Sequence, residues 1–167
     1  NGDIVVGGGF FSAGSVNANR VARWNGSAWS PLGAGLIGGT SSAVLGLALL
    51  PGGDLVAVGG FVASNGVPMR GVARWDGATW SGFGSGTDQT ARAVCMQPDG
   101  RLAVGGEFVI VDGSVAAAFA ELGSTCPATV VSSGTGCVGS AGLQQLAAPA
   151  LPWAGSTFTA LATGMPA

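Results

Sequence analysis

The segment "GDIVVGGGFFSA" (2–13) falls on "GDLVAVGGFVAS" (53–64) when the chain is shifted against itself by 51 positions. The same shift, without a gap, lays "RVARWNGSAWS" (20–30) over "GVARWDGATWS" (71–81). A second shift of 47 places Pro51 on Pro98 and sets "GDLVAVGGF" over "GRLAVGGEF" (100–108), a third and more degenerate copy. A chain that writes one unit of this length repeatedly builds repeated supersecondary units, each burying its apolar face on its neighbour. Few other architectures are open to it.

Within a unit, "SAVLGLALLP", "DLVAVGGFV", "GVARW" and "TWSGF" are short apolar or alternating runs divided by "PGG", "SNG" and "DG". They read as four strands per repeat. Strands are expected near 4–10, 43–50, 54–62, 71–75, 79–83, 91–96 and 101–109. No apolar pattern of period 3.6 persists over ten residues, so no helix longer than one or two turns is expected. Asn25-Gly26 and Asp76-Gly77 signal tight hairpins of type I′. A two-residue turn at 76–77 sets Ala73 opposite Trp80, whereas a four-residue turn sets Trp75 directly opposite it. Either way both rings share one face, and Arg23 and Arg74 alternate to the other. Each repeat thus carries an aromatic slab that the next sheet must cover, and burying each ring contributes roughly 1.5–3 kcal/mol by area.

An apolar run ending in Gly-Gly, then about fourteen residues to one aromatic and a few more to a Trp, as in "LVAVGG" followed by Trp75 and Trp80, resembles the kelch repeat. Trp24 and Trp75 stand where kelch blades usually carry Tyr. The resemblance implies an all-β fold of kelch-like propeller blades, each of four antiparallel strands. On that reading residues 1–124 are propeller-type repeats: 1–33 the last three strands of a blade, 43–84 a full blade, and 90–122 the first three strands of another. Residues 125–167, from "STCPATVVSSGTGC" onward, form a small cystine-containing β tail. It is similar to the C-terminal modules that follow such repeats in large secreted proteins of planctomycete-like bacteria. About two and a half blades do not close a ring of ~4–8. A homo-oligomer, or a fragment of a longer chain, is therefore expected, and the strand-like opening "NGDIVVGGGF" points to a chain that is processed or cut from something longer.

The chain has 8% charged residues, no Lys, no His and no Tyr, and 47% hydrophobic residues. That composition supports a packed core. A net charge of −2, with six scattered Arg, offers no basic stripe for nucleic acid. The longest apolar runs, such as residues 42–50, are well short of the roughly 18 residues that span a bilayer. Cys126 and Cys137 lack the spacing of a zinc site and are expected to form a disulfide, as in secreted or surface proteins. Cys95, in "AVCM", is expected to be a buried small hydrophobe. Trp153, in "LPWAG", is expected to anchor the tail's own core, with a sugar platform as the sharper alternative.

Without His, neither Ser-His-Asp nor Cys-His catalysis is available. Without His and Tyr, the copper-radical site of galactose oxidase, a kelch-type enzyme, is excluded. Without Lys, Schiff-base chemistry is excluded. The glycine strings precede no helix and are structural rather than phosphate loops. Oxygen-ligand chemistry remains. Glu107 interrupts the repeat where Gly9 and Gly60 stand, Asp112 takes the place of Asn65, and Asp88, Asp99 and Glu121 complete the acidic set. Glu107, Asp112 and Asp88 are the candidate Ca²⁺ ligands, with Glu107 and Asp112 the candidate catalytic pair. The bland alternative makes Asp99 and Asp112 turn formers and Glu107 a solvated carboxylate. Two functions follow. One is a secreted or cell-surface kelch-like module that binds a protein, glycan or small molecule, or serves as surface structure. The other, by analogy with propeller lactonases of the gluconolactonase and paraoxonase kind, is a calcium-dependent hydrolase of lactones or similar small esters.

Overall fold

The structure, a computed structural model, describes residues 2–39 and 41–123 together with the strand residues 130–131, 138–139 and 142–143. The first repeat contributes β1 (Ile4–Gly7), β2 (Ser12–Ala13), β3 (Val16–Asn17), β4 (Val21–Trp24) and β5 (Trp29–Pro31). The second contributes β6 (Ser41–Leu49), β7 (Leu55–Gly60), β8 (Ala63–Ser64), β9 (Val67–Pro68), β10 (Val72–Trp75) and β11 (Trp80–Gly82). The third contributes β12 (Ala91–Met96), β13 (Leu102–Gly106), β14 (Ile110–Val111), β15 (Ser114–Val115) and β16 (Phe119–Leu122), and the tail adds β17 (Val130–Val131), β18 (Val138–Gly139) and β19 (Gly142–Leu143). The fold is all-β, and among the described residues there is no helix.

Among the described residues three antiparallel sheets have three or four strands, in the orders β1-β4-β5 (sheet 1), β11-β10-β7-β6 (sheet 2) and β12-β13-β16-β17 (sheet 3), and β18 pairs with β19 in a two-stranded ribbon of the tail. The fourth strand of sheet 3 comes from the tail, where Val130 pairs with Leu122. Two-stranded ribbons, β2-β3, β8-β9 and β14-β15, leave each sheet after its Gly-rich strand. Their turns carry the positive φ of type I′ geometry at Asn65 (46°) and Gly66 (78°), and at Asp112 (49°) and Gly113 (78°).

The sequence places type I′ turns elsewhere, at 25–26 and 76–77, and the structure corrects this. Asp76 Oδ1 accepts from Ala78 N at 2.8 Å and Thr79 N at 2.7 Å. Asn25 Oδ1 accepts from Ser27 N at 3.0 Å and Ala28 N at 2.9 Å. These side-chain bonds hold a four-residue loop in which Gly26 (97°) and Gly77 (98°) take positive φ and the Asx residue does not. Trp24 consequently faces Trp29, and Trp75 faces Trp80. The rings pack tilted, with centroids 5.2 and 5.3 Å apart, within the preferred range for aromatic pairs.

Directly opposed residues share a face, so each sheet has a tryptophan face and a reverse face. In sheet 2 the first holds Leu55, Ala57, Ala73, Trp75 and Trp80, and the second Val56, Val58, Val72 and Arg74. Sheet 1 lays its reverse face, with Val5 and Val21, on the tryptophan face of sheet 2 in one core with Leu36, Phe61 and Met69. The reverse face of sheet 2 packs on Leu102, Val104, Ala120 and Leu122 of sheet 3 in a second core. The β7 strand is covered on both sides, which explains its unbroken apolar run. The stack is closed by hydrogen bonding as well: Trp80 Nε1 donates to the Leu32 carbonyl at 2.8 Å.

Arg20 ties sheet 1 to the connection that follows it. Its φ of 75° matches Gly71 (71°) and Ala118 (63°) at the equivalent positions, an unfavourable region for a long side chain. The buried guanidinium donates to the Leu36 carbonyl at 2.9 Å and to the Ser42 carbonyl, and lies over the Phe11 ring at 4.8 Å. These contacts hold the strained backbone in place.

Two expectations about cysteine meet different outcomes. Cys95 is exposed rather than buried. Alternation on β12 turns it to the reverse face of sheet 3, which no described residue covers. Cys126 and Cys137 lie outside the described residues, as does Trp153. No helix among the described residues is long and apolar enough to cross a membrane.

Candidate functional site

The carboxylates singled out in the sequence are each engaged in holding loops and strands. Glu107 pairs with Arg92 at 2.5 Å on an exposed surface. Asp112 sits in its type I′ turn, where Oδ1 accepts from Ser85 N at 2.8 Å and from Ser85 Oγ at 3.2 Å. Its backbone N–H donates to Gly86 O, so the turn anchors the connection between sheets 2 and 3. Asp88 Oδ1 accepts from Val109 N at 3.0 Å and Ile110 N at 2.9 Å. Partial desolvation pushes the Asp88 pKa up, but the backbone N–H groups of Ile110 and Val109 outweigh it and hold the carboxyl below its ordinary value. Asp99 accepts from Arg101 N at 3.0 Å, as a turn former does. No group of three or more carboxylates or thiols able to hold a metal ion gathers among the described residues. Glu107, Asp112 and Asp88 are therefore not brought together as ligands, because each is drawn to a different structural donor.

A concavity lies instead between sheets 1 and 2 at their outer edge, an open cleft of about 700 Å³. Trp75, Leu49 and Leu55 form its apolar wall, and Asp3, Arg23 and Ser30 its polar rim. Trp75 is half-buried, with one edge against Gly33, whose φ of 58° brings the backbone under the ring. Leu49 is 65% exposed, an unusual position for a leucine in a sheet. An aromatic wall beside a few fixed charged and hydroxyl groups is the ordinary make-up of a ligand site. Sequence reasoning did not find it, since it joins Asp3, Leu49 and Trp75 from two sheets.

The rim pair belongs to a repeated device. Asp3 bonds Arg23, Asp54 bonds Arg74 with Nε at 2.6 Å, and in the third repeat Arg101 bonds Glu121 at 3.1 Å. The positions are equivalent and the charges are exchanged. This swap was legible in "GDI", "GDL" and "GRL", read together with Arg23, Arg74 and Glu121. The pair is cross-strand and diagonal, so either order of charge gives the same attraction. Asp54→Arg and Arg74→Glu should each lower stability by about 0.5 kcal/mol, and the double variant should recover it, as expected for a partly exposed pair. Denaturant melts of the four proteins check this; non-recovery would mean that the pair does more than attract.

Comparison of the chain with protein-family models, with curated proteins and with solved structures finds no match.

Proposed function

We propose that this chain is a kelch-like propeller-type repeat module, secreted or displayed at the cell surface, that binds a ligand without chemistry of its own. The 700 Å³ cleft between sheets 1 and 2 carries the reading. Its Trp75 wall offers a flat apolar face, and its Asp3–Arg23 rim offers both acceptors and donors. That combination suits a sugar ring, which presents C–H groups on one face and hydroxyls at its edge. The calcium-dependent hydrolysis of lactones draws no support from the geometry, because Glu107, Asp112 and Asp88 are spent on Arg92, Ser85 and the Val109–Ile110 backbone.

Neutral and acidic oligosaccharides, titrated while tryptophan emission is followed, should give a saturable change that Arg23→Ala weakens at least tenfold and Trp75→Phe weakens less. A response that survives Arg23→Ala undiminished would move the binding site away from this cleft. An accompanying ring-opening assay on acyl lactones, with calcium and then with chelator, keeps the enzymatic reading open to test; turnover lost on chelation would favour it over the module.

A further inference from the structure

Among the described residues the two ends of the stack are left open in complementary ways. On the tryptophan faces, Leu55 is 8% and Leu102 0% exposed, whereas Ile4 at the same position of sheet 1 is 57% exposed. Trp80 is buried and its counterpart Trp29 is only partly buried. Among the described residues no carbonyl accepts from Trp29 Nε1, whereas Trp80 has the Leu32 oxygen. On the reverse faces the pattern is inverted. Val21 and Val72 are fully buried, and Phe119 at their position in sheet 3 is 47% exposed. Around it lie Ala103 and Gly105, smaller than the Val56 and Val58 they replace, with Ala93 in the place of Gly46 and the exposed Cys95.

We propose that the tryptophan face of sheet 1 docks on the reverse face of sheet 3 in a second copy of this chain, head to tail. The established contact between sheets 1 and 2 supplies the template: a tryptophan face is covered by a reverse face, not by another tryptophan face. Within one chain the reverse faces of sheets 1 and 2 are already occupied, and that of sheet 3 is uncovered by any described residue. Its alanines and glycine leave room for the Trp24 and Trp29 rings, and Phe119 fills the groove beside them. A contact of this kind uses two different surfaces, and it closes into a ring when the rotation per copy allows it; in a closed pair each copy satisfies both ends. Three sheets per copy then give six, inside the range of ~4–8 in which sheets close radially. The proposal rests on the observed sheet packing and is independent of the ligand cleft.

Light scattering of the full chain should give twice the 16.1 kDa of one copy. Trp29→Glu and Ala103→Arg should each give a single copy with an unchanged circular dichroism spectrum, and an equimolar mixture of the two should recover a dimer through its one intact contact. The core formed by sheets 2 and 3 holds both Leu102 and Ala48, and Ile4 and Cys95 are their counterparts. Ile4→Cys should therefore oxidise to a 4–95 cross-link between copies. A wild-type chain that stays single at 50 μM overturns the proposal. So does a 4–4 cross-link, or an Ala103→Arg variant that still dimerises, since either would mean that tryptophan faces meet each other. Open multimers beyond two copies would overturn the closed pair.

Discussion

Gly59→Ala should destabilise the protein by about 3 kcal/mol, the upper end of overpacking costs, and lower its melting temperature by about 10 °C for a chain of this length. Gly8→Ala, at the same position of the first repeat, should cost less than 1 kcal/mol. The backbone at Gly59 is not left-handed, so the effect is one of space. A Cβ there would strike the Ala43 carbonyl and the Val44 α carbon, where β6 shifts register against β7. Backbone atoms inside a sheet have nowhere to go. Gly106 repeats the arrangement, with the Thr90 carbonyl over its α carbon at the register shift of β12. At Gly8 the added atom meets the edge of the Phe10 ring, a half-exposed side chain that can turn away. Thermal melts of the two variants measure the difference; equal costs would show that the Gly-Gly pair acts through backbone freedom rather than through the passing strand.

Trp80→Ala should cost about 4 kcal/mol, the usual range for removing a large buried aromatic, and part of this is the bond from Nε1 to Leu32 O. Trp29→Ala, measured at a dilution where copies are separate, should cost less than about 1.5 kcal/mol. The two residues occupy equivalent places and make equivalent ring pairs with Trp75 and Trp24. They differ in cover: Trp80 is buried under sheet 1, whereas Trp29 is only partly buried, beside Gly14 of the β2–β3 turn, with no sheet among the described residues laid over it. At higher concentration the Trp29 variant should lose the dependence of its melting temperature on protein concentration that an associating wild type shows. Similar costs for both variants at dilution would place a covering segment over Trp29 within the same copy.

Strand positions and faces were legible because they depend on local alternation. The expected strands at 43–50, 71–75 and 91–96 match β6, β10 and β12 within two residues. Arg23 and Arg74 indeed turn away from the tryptophans. Strands expected to run to 10, 62 and 109 end at Gly7, Gly60 and Gly106, since the chain leaves the sheet there to form the short ribbons. Those ribbons have only two residues on each side, too few for alternation to register. Turn chemistry was half legible: Asn-Gly and Asp-Gly marked turns correctly, but which of them became type I′ depended on whether the Asx side chain accepted from the N–H groups two and three residues further along its own loop. At 25 and 76 it did.

The candidate site shows the same division more sharply. Glu107 stood out because it broke a repeat, and breaking a repeat carries no information about which neighbour the side chain meets; the neighbour is Arg92. Asp112 replaced Asn65 and kept its turn, so the substitution preserved structure. Cys95 sat in an apolar run and is nevertheless exposed, because burial on β12 depends on a sheet beyond it.

The amino-acid sequence by itself determined the all-β class, the repeat, the sharing of one face by the two Trp of each hairpin and the turning of Arg23 and Arg74 to the other. Each of these follows from spacing along a strand or across a single hairpin, distances that covalent geometry sets. Only the tertiary structure decided which face covers which, where the cleft between Asp3 and Trp75 opens, and which apolar faces remain without a partner. These depend on how separate sheets stack, and stacking is a matter of shape between segments some fifty residues apart, of which Trp80 and Leu32, 48 positions from each other and joined by one hydrogen bond, are the plainest instance.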